Sequence, residues 1–245
     1  MVQKTVRVDA VIPVYNEEKA LPGSIRQLDA FLREHCPYDW RIVIADNASI
    51  DGTPEVGRAL AAQYPQVRYE RLEKKGRGLA LRTAWLGSDA DILSYMDVDL
   101  STNLSAYMPM IESIATGGYE VAIGSRLRRG SRVRRQWKRE IISRGYNLLI
   151  KLLFPLRGFS DAQCGFKAIS RQAARKLIPI VENNHWFFDS ELLLRAEQHG
   201  YRISEVAVEW VEDLDTRVKI ASTAWEDVKG LLRVRFTSKE GRGAA

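Results

Sequence analysis

Short apolar runs alternate with amphipathic segments over the first half of the chain. Residues 6–14 (VRVDAVIPV) have the pattern of a buried strand, and the stretch from Glu17 to His35 repeats leucine and isoleucine at helical spacing. Further strand-like runs lie at 41–46, 67–72, 91–97 and 119–124, and further helical patterns at 53–64, 77–87 and 105–116. This order predicts a mostly parallel sheet with helices on both faces.

Polar residues stand at the ends of the predicted strands. Asp46 ends 41–46, Asp97 ends 91–97, and Arg126 follows the strand 119–124. Because ligands of such sheets bind beyond the carboxyl ends of the strands, we expect these residues to share one neighbourhood.

Asp97-Val98-Asp99 predicts a metal site. Two carboxylates at this spacing, directly after a buried strand, can both reach a hard cation if the chain turns between them. Mg²⁺ is typically held by one or two carboxylates together with substrate phosphates. A surface turn is the alternative, and the position after the buried strand favours the metal.

The ends of the first two strands carry candidates for nucleotide binding. Tyr15 can stack on a base, and Glu17 can accept hydrogen bonds from a base or ribose, or merely cap the next helix. Asp46 can bind base or ribose donors. We expect Thr53 to be an N-cap, with Pro54 as the first helical residue. Lys74 to Gly78 form a glycine-rich loop whose backbone can approach a phosphate at a helix N-terminus.

Composition places the chain among folded proteins, and its charge indicates an anionic partner. Of the 245 residues 45% are hydrophobic and 28% charged, and the net charge is +6. The basic excess is concentrated between Arg126 and Arg144, a stretch suited to phosphates of nucleic acid, lipid or a small substrate. Cys36 and Cys164 show no pairing pattern, and the first residues have no signal-peptide pattern, so we expect a reduced, cytoplasmic setting.

The second half changes character after Arg126. Residues 138–156 form a helical pattern rich in Ile and Leu that is interrupted by Arg144 and Lys151 and is too short to span a bilayer. Either it lies in a membrane surface, with basic residues at its flanks, or it is a core helix with a charged rim. We expect the tail 238–245 to be disordered.

The order of the motifs resembles family-2 glycosyltransferases. PVYNE, D-x-x-x-x-D-G-T, K-x-G-x-G-x-A, the D-x-D of MDVDLS and GSR (124–126) follow one another as in that family. Residues 160–170 (SDAQCGFKAIS), 186–193 (WFFDSELL) and 206–210 (VAVEW) resemble polyprenyl- or dolichyl-phosphate sugar synthases. Among these, the strings are most similar to dolichyl-phosphate β-glucosyltransferases.

The resemblance implies a GT-A fold in a single domain, residues 1–237, with amphipathic C-terminal helices. Residues 6–126 would bind the nucleotide sugar, and 127–237 the acceptor. It also implies Mg²⁺ or Mn²⁺, a UDP- or GDP-sugar with UDP-glucose as the first choice, and a polyprenyl or dolichyl phosphate acceptor. Many such relatives have transmembrane helices. The present sequence predicts none, so we expect peripheral association with the membrane through 126–156, or through a membrane-protein partner.

Some residue roles are carried over from the matching motifs, namely those of Pro13, Tyr15, Glu17, Asp46, Asp97, Asp99, Arg126 and Arg144. The other candidates are chosen by residue type and position. The donor would contact Pro13, Tyr15, Glu17, Asp46, Lys74, Gly76, Asp97, Val98 and Asp99. The metal would be held by Asp97 and Asp99, with Ser101 at a position where some mannosyl relatives have glutamine. The acceptor would meet Arg126, Arg144, Asp161, Gln163, Lys167, Arg217 and Lys219. Asp189 and Glu191 would bind sugar hydroxyls or act as a base.

The acceptor decides the mechanism. A lipid monophosphate is mostly a dianion at neutral pH and needs no general base, which agrees with the arginine-rich stretch. A hydroxyl acceptor would need Asp161, Asp189 or Glu191 as base. A purely structural pairing of Asp161 with Lys167 is the alternative for those two residues. A GDP-mannose-dependent enzyme and a nucleotidyltransferase remain alternatives. A nucleic-acid-binding domain leaves the D-x-D unexplained, so we expect no nucleic-acid partner.

Overall fold

A computed structural model describes residues 5–134, 136–155, 157–211 and 220–236, without the side chains of 138–140 and 220–224. The strands are β1 (Arg7–Val14), β2 (Asp39–Asp46), β3 (Val67–Arg71), β4 (Ile92–Met96), β5 (Val121–Ser125), β6 (Arg132–Arg134), β7 (Phe166–Ser170), β8 (Ile203–Ala207) and β9 (Glu209–Val211). The helices are α1 (Leu21–His35), α2 (Thr53–Gln63), α3 (Arg77–Gly87), α4 (Tyr107–Ala115), α5 (Trp137–Leu153), α6 (Arg171–Leu177), α7 (Phe188–Gln198) and α8 (Ile220–Phe236).

Seven of these strands form one sheet in the order β3-β2-β1-β4-β7-β5-β8. The predicted mostly parallel sheet is confirmed, because every pairing is parallel except those of β7. The antiparallel β7 lies between β4 and β5 and falls in a segment that we treated only as a motif. β6 and β9 pair separately, in parallel.

Both faces of the sheet are covered by apolar side chains. Val11 of β1 belongs to one buried cluster, with Trp85 of α3 and Leu193 of α7. Its neighbours Ala10 and Ile12 belong to the cluster on the other face. Successive strand residues point to opposite faces, so β1 contributes to both cores, as a strand between two helical layers must.

Two predicted helix starts are wrong by a few residues. α1 begins at Leu21, not at Glu17, because Pro22 lacks an N–H and is accommodated in the first turn. Thr53 is the first residue of α2 and not its N-cap, which is Gly52. The Thr53 hydroxyl instead accepts a hydrogen bond from the backbone N–H of Glu17, at 2.7 Å. This bond ties the loop after β2 to the loop after β1.

The predicted helix 138–156 is observed as α5. Its apolar positions are divided, since Ile150 is buried whereas Ile141 and Leu152 are 61% and 71% exposed. α8 is divided in the same way. Across the described ranges, no helix combines the length and the apolar character needed to cross a membrane. The tail 238–245 lies outside the described residues.

Candidate functional site

A cavity of about 910 Å³ opens at the carboxyl ends of the central strands. Loops after β1, β2, β4 and β5 contribute to it, as expected for this kind of sheet. Of the predicted site residues, those that line it are Pro13, Tyr15, Glu17, Gly76, Asp97, Val98, Asp99, Ser101, Arg126 and Gln163. The sequence motifs therefore converge on one cavity, although they are spread over some 150 positions of the chain.

Three loops at this rim contain a residue in the left-handed backbone region. Asn16 follows β1, Ala48 follows β2, and Leu100 follows the aspartate pair, with φ values of 57°, 58° and 49°. They are the non-glycine residues with positive φ among those the structure describes. Such conformations are uncommon for Ala and Leu and are concentrated at functional loops. Here each of them turns the backbone sharply in the loop that follows a strand.

Asp97 is held on both sides and still faces the cavity. One carboxylate oxygen accepts a hydrogen bond from Nη2 of Arg77, at 2.7 Å. The other lies against the α-carbon of Gly165, where any Cβ would overlap the carboxylate. The side chain remains 45% exposed. The glycine of the CGF string is therefore required by the close approach of the first metal-binding candidate.

Asp99 and Ser101 complete the cavity edge next to Asp97. Asp99 is exposed, and its Oδ1 accepts a hydrogen bond from the Ser101 backbone N–H at 2.9 Å. No set of three His, Cys, Asp or Glu side chains that could close around a metal occurs in the described ranges. A pair of carboxylates fits a cation such as Mg²⁺, which completes its shell with water and substrate phosphates.

The predicted donor-binding loops pack against each other. Nζ of Lys75 lies 3.4 Å from the centroid of the Tyr15 ring, a cation–π contact. Lys75 lines the cavity, whereas the predicted Lys74 is exposed and is not among the lining residues. Gly76 donates its N–H to Oδ1 of Asn47 at 2.5 Å. A Cβ on Gly76 would meet the Asn184 carbonyl oxygen at 2.7 Å.

Asp46 lies beneath the cavity rim and does not line the cavity. It is fully buried. One oxygen accepts from the backbone N–H of Ser49 at 2.9 Å and the other from the Tyr69 hydroxyl at 2.5 Å. Burial and the hydrogen bond to Asp46 raise the pKa of Tyr69 to about 12. In this structure Asp46 shapes the loop after β2, and its direct contact with a nucleoside stays a prediction.

The residues predicted to meet the acceptor include an ion pair that the sequence did not predict. Arg126 binds both oxygens of buried Asp161, at 2.7 and 2.8 Å, and its guanidinium lies 5.5 Å from the centroid of the Trp210 ring. Burial favours the neutral acid, but Arg126 outweighs it and lowers the pKa of Asp161 to about 2. The alternative pairing of Asp161 with Lys167 is therefore wrong. Asp161 pairs with Arg126, and the ammonium group of Lys167 lies 3.4 Å from Asp189 instead.

Lys167 and Asp189 form a second buried cluster behind the cavity. Lys167 Nζ lies 3.4 Å from Asp189, which also accepts hydrogen bonds from the Tyr95 hydroxyl and, at 2.7 Å, from Arg77. Burial raises the pKa of Asp189, but Lys167, Arg77 and the hydrogen bonds outweigh burial, so the net pKa is lowered. A carboxylate held in this way is a weak base.

Other predicted residues lie away from the cavity or outside the described chain. Glu191 is fully buried and accepts from Arg233 at 2.7 Å and from the Asn183 N–H at 3.0 Å. Arg144 is exposed on α5 and is not a lining residue. Arg217 and Lys219 fall in 212–219, outside the described residues.

The structure adds cavity residues that sequence reasoning missed. Arg77, His185, Trp186 and Trp210 all line it. Each was inside or next to a quoted motif, so a residue-by-residue weighing of those strings would have included them. Gln163 also has a hidden partner, since its Nε2 donates to buried Asp227 of α8 at 3.0 Å.

The chain is similar in sequence to known glycosyltransferases. Residues 9–178 match the model of glycosyl transferase family 2. The chain is 37% identical to glycosyltransferase AglD of Haloferax volcanii over 88% of its length, but spans only 35% of that relative. It is 31% identical to the dolichyl-phosphate beta-glucosyltransferase of Drosophila melanogaster, covering 85% of this chain and 68% of that protein.

Among solved structures, the chain resembles glucosyl-3-phosphoglycerate synthase from Mycobacterium tuberculosis. The complex of that enzyme with Mn²⁺, UDP and glucosyl-3-phosphoglycerate has a TM-score of 0.73 at 17% identity, covering 98% of this chain and 84% of that one. At this identity the likeness shows the GT-A-like fold alone. With the family match over more than half of its residues, the chain belongs to glycosyl transferase family 2.

Proposed function

We propose that the protein transfers a hexose, glucose in the first place, from a nucleoside diphosphate sugar to a polyprenyl or dolichyl phosphate at the cytoplasmic face of a membrane. The observation that carries this proposal is that one cavity is lined by Asp97 and Asp99 together with Arg126 and Gln163. Relatives named dolichyl-phosphate beta-glucosyltransferase support the acceptor and the sugar. The Mn²⁺ and UDP bound to the structural neighbour support the donor class.

Asp97 and Asp99 would hold a divalent metal, Mg²⁺ or Mn²⁺. When bound there, the metal neutralises the negative charge of a leaving nucleoside diphosphate. Ser101, through its N–H on Asp99, keeps the second carboxylate turned toward the cavity. Tyr15, Glu17 and Lys75 are the lining groups available to the nucleoside and its phosphates.

The acceptor phosphate would approach from the side of Arg126. An oxygen of the phosphate forms a bond to C1 of the sugar while the bond from C1 to the diphosphate oxygen breaks, and the diphosphate leaves with that electron pair. Attack opposite to the leaving group inverts the configuration at C1 and gives a β-linked product from an α-linked donor. The acceptor needs no base, because a phosphate monoester is mostly a dianion at neutral pH.

A hydroxyl acceptor is the less favoured alternative. It requires a carboxylate base, yet Asp161 is bound by Arg126, and Asp189 is bound by Arg77 and Lys167. Both carboxylates have a pKa below the ordinary value, which makes them poor proton acceptors at neutral pH. Two arginine-bound aspartates therefore argue for an acceptor that is already charged.

Membrane association would use the outer faces of α5 and α8. Exposed apolar side chains follow both helices, among them Trp137, Ile141, Leu148, Leu152, Trp225 and Phe236. Arg144, Lys151 and Lys229 are exposed on the same helices and would meet anionic headgroups. This surface would bring the lipid phosphate to the protein, alone or with a membrane-protein partner.

A donor and acceptor screen tests the proposal. Purified protein is mixed with UDP-glucose or GDP-mannose, Mn²⁺ or Mg²⁺, and a short polyprenyl phosphate, and the released nucleoside diphosphate is measured. We expect release of UDP that requires the lipid phosphate and is lost in Asp97→Asn and Asp99→Asn. Release of GDP alone would change the donor, product formation on free sugars would support the hydroxyl acceptor, and pyrophosphate release would indicate a nucleotidyltransferase.

A further inference from the structure

The guanidinium of Arg77 is enclosed between two carboxylates and two aromatic rings. Nη2 donates to Asp97 and Nη1 to Asp189, both at 2.7 Å. The rings of Tyr95 and Trp186 flank it, with centroids 5.0 and 5.1 Å from its central carbon. The side chain is only 11% exposed. Arg77 therefore occupies a single arrangement at the floor of the cavity.

Asp189 is fixed independently of Arg77. The Tyr95 hydroxyl donates to it, and Lys167, itself fully buried, lies 3.4 Å away. Lys167 also donates to the Cys164 carbonyl oxygen, so its position is set by the backbone. Asp189 is thus a fixed anchor for Arg77, and Arg77 in turn donates a hydrogen bond to Asp97.

Asp97 has little freedom left between Arg77 and Gly165. One oxygen is bound by the guanidinium, and the other is bounded by the Gly165 α-carbon. From this geometry we propose that Arg77 positions the metal-binding carboxylate of Asp97, and that Asp189 serves as the anchor of Arg77 and not as a base. The inference rests on the proposed metal-dependent binding of the donor.

Two effects of Arg77 on a metal have opposite signs. Its positive charge repels a cation at Asp97, whereas its hydrogen bond holds the carboxylate in the binding orientation. The repulsion is weakened because Asp189 shares the same guanidinium and compensates its charge. Loss of a hydrogen-bond partner of a metal ligand typically lowers metal affinity or activity about 10- to 100-fold. Positioning therefore outweighs repulsion here.

Calorimetric titration with UDP, in the presence and absence of Mn²⁺, separates the metal-dependent part of binding from the rest. We expect Arg77→Met to lower the metal-dependent gain in UDP affinity, which is the ratio of the affinities with and without Mn²⁺, roughly 10- to 100-fold. Arg77→Lys keeps the charge but reaches only one carboxylate, so its affinity gain falls between those of wild type and Arg77→Met. Arg175→Met, an exposed arginine of α6, is the matched control and is expected to bind as wild type.

The variants are expected to fold, which thermal melts verify. Asp189 keeps Tyr95 and Lys167 without Arg77, and Asp97 can be hydrated. Should Arg77→Met not fold, Arg77→Lys carries the test. An unchanged or larger metal-dependent gain in either variant overturns the proposal, because Arg77 would then only fill space or compete with the metal.

A double-mutant cycle tests the role of Asp189. If Asp189 acts through Arg77, the loss in Arg77→Met/Asp189→Asn is no greater than in Arg77→Met alone. Additive losses would mean that Asp189 contacts the ligand itself, and would overturn the anchor role. Wild-type protein that binds neither UDP nor GDP more tightly with Mn²⁺ would overturn the proposed function and this inference together, whereas the outcomes above affect the inference alone.

Discussion

At the scale of single residues, the position of the metal-binding candidate Asp97 depends on a glycine, Gly165, which has no side chain. Gly165 directly precedes β7, and its carbonyl oxygen accepts a hydrogen bond from the Asp97 N–H at 3.2 Å. The same residue leaves the room that the Asp97 carboxylate occupies. Backbone and side chain of Asp97 are thus both positioned by one glycine.

Gly165→Ala is expected to displace the Asp97 carboxylate and to reduce metal-dependent UDP binding at least about 10-fold. The expected loss of binding is steric, because the new methyl group would occupy the place of an Asp97 carboxylate oxygen. Gly23→Ala in α1 is the matched control, since nothing lies within 4 Å of its added Cβ. That control should bind UDP normally and gain about 0.5–1 kcal/mol in stability. Equal binding in both variants would contradict the steric argument.

Asp227 is a buried carboxyl group that no described cation pairs with. It is 2% exposed and accepts one hydrogen bond, from Gln163, while its Oδ1 has no partner among the described residues. Burial, with Glu226 and Asp189 nearby, raises its pKa from 3.8 to about 7. Tyr146 of α5 faces the same place. The folded protein therefore binds a proton here that the unfolded chain loses near pH 4.

The stability of the protein is expected to fall as the pH rises from about 4 to about 7, because the folded state must release this proton. Asp227→Asn is uncharged at every pH and can still accept from Gln163. Relative to wild type it should gain about 2–3 kcal/mol between pH 5 and pH 8, or about 5–10 °C in melting temperature. Thermal melts at both values check this, and a difference that does not change with pH would contradict it.

At the scale of elements, α5 and α8 each divide their apolar residues between the core and the surface. Ile150 of α5 and Leu231 of α8 are fully buried, whereas Leu148 and Trp225 are 57% and 61% exposed. A helix whose packing needed only the core would not keep so much apolar surface in water. The second apolar stripe suits the membrane surface that we propose.

Leu148→Glu/Leu152→Glu is expected to weaken binding to vesicles of phosphatidylserine and phosphatidylcholine at least about 10-fold, because charged groups replace side chains that would enter the lipid. Cosedimentation with such vesicles is the measurement. Leu86→Glu, at an exposed leucine of α3, is the control and should bind as wild type. Unchanged sedimentation of the double variant would contradict the membrane role of α5.

At the scale of the whole molecule, α8 completes the core although it is far from the sheet in sequence. Leu231 and Val234 belong to the buried cluster that also contains Phe187, the residue directly before α7. A Cβ on Gly230 would overlap the Phe187 ring, so α8 packs there at close range. Through Asp227 and Gln163 the same helix also touches the cavity lining.

Leu231→Ala is expected to cost about 2–4 kcal/mol, or about 5–15 °C, because it opens a cavity in this core. Its neighbour Leu232 is exposed, so Leu232→Ala should change the melting temperature by little. Calorimetry on the two variants compares adjacent leucines of one helix. Similar melting temperatures would mean that α8 is not part of the cooperative core.

Much of the site could be predicted from sequence because its residues follow strand ends. Tyr15, Asp97 and Arg126 were each placed by counting to the end of an apolar run, and all three line the cavity. Asp46 met the same criterion and is nevertheless buried, since Tyr69 and Ser49 use both its oxygens. Position along a strand is a local property, but the direction of a side chain depends on its neighbours in space.

The sequence by itself determined the alternation of strands and helices, the parallel character of the sheet and the rim on which the motifs meet. The elements follow from the spacing of apolar residues, and the rim follows from the rule that ligands bind beyond the carboxyl ends of parallel strands. Both need only the residues of one short segment at a time. Only the tertiary structure decided that β7 enters antiparallel, that Arg126 takes Asp161, and that Arg77 joins Asp97 to Asp189. Arg77 and Asp189 are 112 positions apart. Such a contact is chosen by the packing of the whole chain, which no local pattern records.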